Sequence, residues 1–171
     1  VADAVLEVAP VGAPTGGAEE LRGSMADRTE STILIDTEPG DVLDVIADFE
    51  GYPEWTGAVR ETEVLVTDEF GWAEQVRFVL DAGALRDTYT LEYEWDVDED
   101  GLGTVTWALV EATILKAMDG SYRLRRSDGG TEVTYTLAVE VRMPMLGMLR
   151  RRAEKTIIDT ALNELKKRVE G

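Results

Sequence analysis

The sequence predicts an α+β fold in which a curved, seven-stranded antiparallel sheet, in the order β-αα-β6-α, wraps around one long C-terminal helix. Three observations carry this. Residues 145–169 repeat apolar side chains at helical spacing, almost everything between residues 29 and 141 reads as strand, and folding those strands into hairpins separates an apolar face from a polar one.

Taken in order, residues 29–35 (TESTILI) are β-rich. Glu38-Pro39-Gly40-Asp41 ahead of VLDVIADF marks a helix start, with proline and acids in the first turn. Gly51-Tyr52-Pro53-Glu54-Trp55 breaks that helix and opens a second, very short one. Strands follow at 58–67, 72–80, 85–96, 104–111, 115–126 and 131–141, and the joints at 68–71, 81–84, 98–103 and 127–130 carry the Gly and Asp that turns require. Beyond Pro144, an apolar stripe of Leu146, Leu149, Ala153, Ile157, Ala161, Leu165 and Val169 predicts a helix without internal proline, roughly 35 Å long at about 1.5 Å per residue. A helix of that length needs an equally long apolar partner, which the sheet supplies.

Side-chain parity fixes which face is which. A four-residue turn at 81–84 sets Leu80 opposite Leu85 and Val76 opposite Tyr89; one at 127–130 sets Leu124 opposite Val133 and Tyr122 opposite Tyr135. Phe78, Leu80, Tyr89, Leu91, Tyr93, Trp95, Val105, Trp107, Leu109, Met118, Tyr122, Leu124, Tyr135, Leu137 and Val139 then share one face, and Thr, Glu and Arg occupy the other, as in a meander covered on one side.

Composition narrows the function classes. The chain has 171 residues, 44% hydrophobic and 30% charged, enough for one domain with a single core. It has no cysteine and no histidine, which removes thiolate chemistry, the usual triads and the commonest metal ligands. A formal charge of −18 disfavours nucleic acid as a partner of the body as a whole. No apolar run approaches a membrane span and no secretory signal is read, so a cytoplasmic setting is expected. Residues 1–24, rich in Ala, Gly and Pro and free of aromatics, read as a flexible leader to a domain at 25–171, with Met25 a possible second start.

The element order, the break Tyr52-Pro53-Glu54-Trp55, the segments WALVE (107–111) and KAMDGSY (116–122) and the closing helix resemble the polyketide cyclase/dehydrase and lipid transport family. That family belongs to the START and birch-pollen-allergen-like superfamily, and the resemblance runs over residues 28–170. It implies a helix-grip fold and a deep cavity between sheet and helix. It also implies a mouth among the hairpin tips and the helix start, here Gly83, Ile114, Leu115, Met145, Leu146, Met148 and Leu149. Family members include carriers, aromatase/cyclases and hydrolases, so the resemblance is specific for fold and not for one activity.

Residue chemistry refines what such a cavity accepts. Four of the five tyrosines fall on the inward face, and a buried phenol must place its hydroxyl on a partner. A lining of Trp55, Phe78, Tyr89, Leu91, Tyr93, Trp95, Trp107, Leu109, Met118, Tyr122, Tyr135, Leu137, Ile157 and Ala161 suits a ring-containing or oxygenated hydrophobe: a lipid, an isoprenoid quinone or a polyketide. Gly120, Ala153 and Ala161 are small and suggest unfilled volume. Binding or carriage of such a ligand is the leading reading, with a cyclase, aromatase or dehydratase second and a protein-interaction module third.

For chemistry, Asp87 and Glu74 share the inward parity, and a carboxyl held in an apolar pocket has a raised pKa suited to proton transfer. The acids Asp96, Asp98, Glu99 and Asp100 in WDVDEDGLG lack the glutamate that a calcium loop carries six residues after its glycine, and they read as a solvated turn; neither metal nor cofactor is expected. Arg150, Arg151 and Arg152, beside exposed-looking Met and Leu at the mouth, offer transient contact with a membrane or a carrier protein.

Overall fold

Strict alternation of apolar and polar residues produces one curved sheet with order β1-β7-β6-β5-β4-β3-β2. The structure, a computed structural model, describes residues 28–83, 86–143 and 147–171. The leader at 1–24, together with Met25, lies outside the described residues. The strands are β1 (Thr29–Ile35), β2 (Val59–Thr67), β3 (Ala73–Asp81), β4 (Arg86–Val97), β5 (Gly103–Ala112), β6 (Leu115–Ser127) and β7 (Gly130–Val141). Helix α1 (Pro39–Ala47), a 3₁₀ turn (Phe49–Gly51) and α2 (Tyr52–Trp55) bridge β1 to β2, and α3 (Gly147–Glu170) closes the chain. β2 to β7 form a meander, and β1 returns to pair with β7.

The β6–β7 register is as expected, with Leu124 opposite Val133 and Tyr122 opposite Tyr135. The β3–β4 register is not. Phe78 stands opposite Tyr89, Val76 opposite Leu91 and Leu80 opposite Asp87, two residues from the expected pairing. The cause is Asp81, which stays in the strand opposite Arg86, with Arg86 Nε 3.2 Å from its Oδ1, and accepts the N–H of Gly83 at 3.2 Å. The turn therefore starts one residue later and is entered through Gly83 at φ +78°. A slip of two preserves parity, so the faces are unchanged.

The inner face carries the core: Val76, Phe78, Leu91, Val105, Leu124, Val133 and Leu137 are all buried, joined from α1 by Val42, Leu43 and Ile46. On the outer face Thr90, Thr106 and Thr134 are buried where the sheet is widest, and the Thr32 and Thr134 hydroxyls pair at 2.9 Å.

Helix α3 lies against β1 and β7 and meets α1 and α2 at its far end. Its buried residues are Glu154, Ile158, Leu162 and Leu165, whereas Leu149 is 51% exposed and Ala153 is exposed. The expected stripe is thus rotated along the N-terminal half. Residues spaced by four advance about 400° and drift some 40° per step, so 165, 161, 157 and 153 walk off the face that 165, 162, 158 and 154 keep. The true face passes through a glutamate: Glu154 is 1% exposed, accepts the Thr29 hydroxyl at 2.8 Å and accepts the Val139 N–H at 2.6 Å. Register explains this contact. The β1–β7 pairing ends at Thr29 opposite Leu137, and Glu154 supplies the acceptor for the β7 N–H beyond it.

Candidate functional site

The inner face between β3 and β7 is an aromatic network. Phe78 stacks on its cross-strand neighbour Tyr89 at 5.3 Å. Trp107 lies 5.9 Å from Tyr93, 5.3 Å from Tyr122 and 5.5 Å from Tyr135, and the last two meet edge-on at 4.7 Å. From the side of α1 and α2, Phe49 approaches Tyr93 at 4.9 Å and Tyr52 at 5.1 Å. Quadrupole geometry favours such tilted and edge-on pairs. Gly120 is what lets Trp107 lie down: the two are cross-strand partners, and a Cβ at position 120 would collide with the indole ring. The expected free volume at Gly120 is therefore occupied by Trp107.

All five tyrosines are buried, but their hydroxyls differ. Tyr52 donates to the Ile46 carbonyl at 2.5 Å. Tyr89, Tyr93, Tyr122 and Tyr135 donate to no described residue, none of their oxygens is among the sealed atoms without a partner, and each residue keeps 6–8% exposure. Burial pushes all five phenols above the ordinary value of 10.0, and neighbouring phenols add to the effect in every case but Tyr135, for which burial alone acts. At neutral pH the group is a set of un-ionised donors facing an apolar interior.

The remaining expected lining residues distribute as follows. Leu91, Met118 and Leu137 are buried beside the aromatic network, and Trp55, Trp95, Leu109, Ile157 and Ala161 are partly buried against the same core. Trp95 is anchored by its Nε1–H to the Ala73 carbonyl at 2.7 Å. Around the expected mouth, Gly83 is exposed, and Ile114, Met148 and Leu149 are 38%, 72% and 51% exposed. Met145 and Leu146 lie outside the described residues. Leu115 departs from expectation: it is 1% exposed and belongs to the core.

Both carboxylate candidates are corrected. Burial raises the Asp87 pKa, but the N–H groups of Leu115, Ile114, Thr113 and Thr88 outweigh it and hold the carboxyl below its usual range. Those four bonds, at 2.8–3.1 Å, make Asp87 a clamp for the β5–β6 turn and leave it no proton to give at neutral pH. Glu74 is exposed and opens onto a groove of about 520 Å³ lined also by Phe70, Trp72, Asp96 and the expected lining residues Tyr93 and Trp95, and by no residue of α3. A second groove, about 220 Å³, lies at the β6–β7 turn beside Lys166. Neither groove is the expected cavity beneath α3.

Sequence reasoning missed two acids. Glu154, described above, was hidden by the hydrophobic pattern, although counting back from Leu165 by three, four and four residues reaches it. Glu164 accepts the Gly57 N–H at 2.7 Å, which ties α3 to the segment after α2, and its charge is felt by Tyr122. In the acidic turn, Asp98 Oδ1 accepts the N–H groups of Asp100 at 2.9 Å and Leu102 at 3.0 Å, so one acid of the cluster serves the turn itself. No group of three or more His, Cys, Asp or Glu among the described residues has metal-binding geometry. No helix of the described residues is long and apolar enough to cross a membrane.

Solved structures share this architecture. A START superfamily protein from Mycobacterium smegmatis superposes with a TM-score of 0.76 at 16% identity, covering 84% of this chain and 97% of the other. A protein from Thermus thermophilus gives 0.67 at 22% identity, over 83% and 96%. The Zhui aromatase/cyclase from Streptomyces sp. R1128 gives 0.66 at 19% identity, over 84% and 93%. Identities this low establish the fold, the START-type helix-grip, and nothing finer. No curated protein matches the sequence significantly. The family model described as polyketide cyclase / dehydrase and lipid transport matches residues 35–166, and the chain belongs to that family.

Proposed function

We propose that this chain binds and carries a hydrophobic molecule bearing acceptor oxygens, of the lipid, isoprenoid-quinone or polyketide class, against the inner face of the sheet. The observation that supports this reading is the set of four phenols, Tyr89, Tyr93, Tyr122 and Tyr135, whose rings lie in the core and whose hydroxyls donate to no described residue. None of these oxygens is among the sealed atoms without a partner, so they are donors that the acceptor oxygens of an incoming molecule can meet. Carbonyl or ether oxygens on an apolar skeleton satisfy both the donors and the Leu, Met and Phe side chains around them.

The cyclase reading stands second, favoured by the same phenols. Un-ionised donors clustered in an apolar space suit a ketone oxygen that gains negative charge as an enolate forms. Neither expected carboxylate supplies its base, because Asp87 is committed to backbone and Glu74 faces solvent.

Tyr135→Phe tests the carriage reading, because it keeps the ring and removes one central hydroxyl. Affinity for a naphthoquinone probe should fall about tenfold, one hydrogen bond of roughly 1.4 kcal/mol, while a hydrocarbon-like fluorescent dye binds as before. Equal loss for both probes, or none for either, removes the phenols from the site. Ala161→Trp should abolish uptake of both probes in a folded protein.

A further inference from the structure

Charge is distributed along this molecule end to end. In a meander successive turns alternate between the two ends of the sheet, so the β2–β3, β4–β5 and β6–β7 turns share one end. Those turns carry Asp68, Glu69, Asp98, Glu99, Asp100 and Asp128. The opposite end holds the β5–β6 turn, the end of β7 and the start of α3. Between residues 142 and 155 the chain has five cations and one acid, Glu154, which is buried. A chain of net charge −18 thus presents a locally basic tip.

The same tip is apolar. Met143 is 74% exposed, Met148 72% and Leu149 51%. Arg142 fixes their setting: its N–H donates to Ile114 O and its Nε to Thr113 O, both at 3.0 Å, tying the end of β7 to the β5–β6 turn. The Glu154–Val139 bond of 2.6 Å ties the first turns of α3 to the same stretch of β7. From that bond Met148 lies about 9 Å back along the helix and Met143 about 13 Å on along the chain. Arg151 and Arg152 are exposed on the next turn of the helix, whereas Arg150 is half-buried and engaged.

We propose that this tip docks on the surface of an anionic bilayer, with Met143, Met148 and Leu149 entering the headgroup boundary and Arg142, Arg151 and Arg152 meeting lipid phosphates. Long unbranched or γ-branched apolar side chains flanked by guanidinium groups fit that boundary, and charge complementarity selects anionic lipid. The acidic turns stand about 35 Å away, a strand's length, against a Debye length of about 8 Å, so they orient the molecule without preventing contact. Of the acids towards this end, Glu111 and Glu140 stand in the sheet opposite Thr90 and Ala117, Asp81 is paired with Arg86 at 3.2 Å and Asp159 with Lys155 at 2.7 Å. The inference deepens the carriage reading by naming the surface with which a ligand is exchanged, but its test needs no internal ligand.

The full chain is sedimented with vesicles of phosphatidylcholine alone or mixed with phosphatidylglycerol, at low and high salt. Binding is expected only with phosphatidylglycerol and should weaken with salt. Arg151→Ser with Arg152→Ser should lower affinity about thirtyfold, as two surface cations at about 1 kcal/mol each imply. Met148→Ser with Leu149→Ser should lower it at unchanged charge, and Glu69→Gln at the far end should leave it unchanged. Both double variants alter exposed side chains, so an unchanged melting temperature is the check on folding. Absence of vesicle binding overturns the proposal, as does equal binding by the variants. So does a dimer in sedimentation equilibrium that Met148→Ser dissociates, or capture by an acidic carrier protein without vesicle binding. A failed Tyr135→Phe test leaves this result standing, and the reverse holds too.

Discussion

The two halves of the interior are built differently. Where α3 lies on β1 and β7, the core is aliphatic and sealed: Ile35, Val133, Leu137, Ile158, Leu162 and Leu165 are 0–2% exposed, and the buried Glu154 carboxylate is satisfied by Thr29 and Val139. Across the middle of the sheet the core is aromatic. Tyr89, Tyr93, Trp107, Tyr122 and Tyr135 keep 6–8% each, and the tyrosines among them donate to no described residue. Dense aliphatic packing in one half anchors the helix, and the proposed carriage of a ligand falls to the other half.

The comparison breaks most sharply on deletion of core atoms. Ile158→Ala should cost about 3–4 kcal/mol in denaturant unfolding, because it opens a cavity in sealed packing. Tyr135→Phe should cost less than about 1 kcal/mol, since its hydroxyl has no partner among the described residues to lose. Similar costs for the two would erase the distinction.

Asp87 holds the β5–β6 turn beside the aromatic half. Asp87→Ala strands the N–H groups of Thr113, Ile114 and Leu115, the last on a buried residue, and should cost about 3 kcal/mol. The sign with pH follows from its depressed pKa. In the unfolded chain the group titrates near 3.8 and in the folded chain lower, so its stabilisation is present above about pH 4 and is lost as pH falls through the folded value. The wild type should therefore lose more stability than Asp87→Ala does between pH 5 and pH 3. Parallel curves for the two would mean that the carboxylate does not carry the clamp.

How much of this was legible in the sequence depends on what a pattern of period two can record. Parity assigned the inward face correctly, including all four inward tyrosines, because alternation survives small errors of alignment. The same insensitivity hid the β3–β4 register: a two-residue slip leaves every side chain on its face, and only the Asp81–Arg86 pair distinguishes the alternatives. The helix phase escaped for the complementary reason, since a charged residue occupies a core position and hydropathy cannot see that Val139 needs an acceptor there. Filling was not legible at all. A glycine at position 120 reads as space, but rotamer choice on the neighbouring strand puts Trp107 in it.

That packing yields the next effect in size. Gly120→Ala drives a methyl into the indole and should cost about 1–3 kcal/mol, with a shift in tryptophan fluorescence as Trp107 tilts. If the variant instead matches the wild type in stability and emission, the aromatic half has slack that the aliphatic half lacks, and the contrast between them is larger still.

The smallest effect concerns how the aromatic half is closed. On the aliphatic side α3 is held by a buried carboxylate; on the aromatic side it is tied to α2 by Arg168 and Glu54 at 2.9 Å, with side chains 40% and 66% exposed. An ion pair so open to solvent gains little over its hydrated state, and Arg168→Ala should change stability by less than about 0.5 kcal/mol. A cost above about 1 kcal/mol would show that the helix is held as firmly over the tyrosines as over β1 and β7. A small cost means that this end of α3 is held to α2 by contacts that water can replace, as the proposed carriage of a ligand requires.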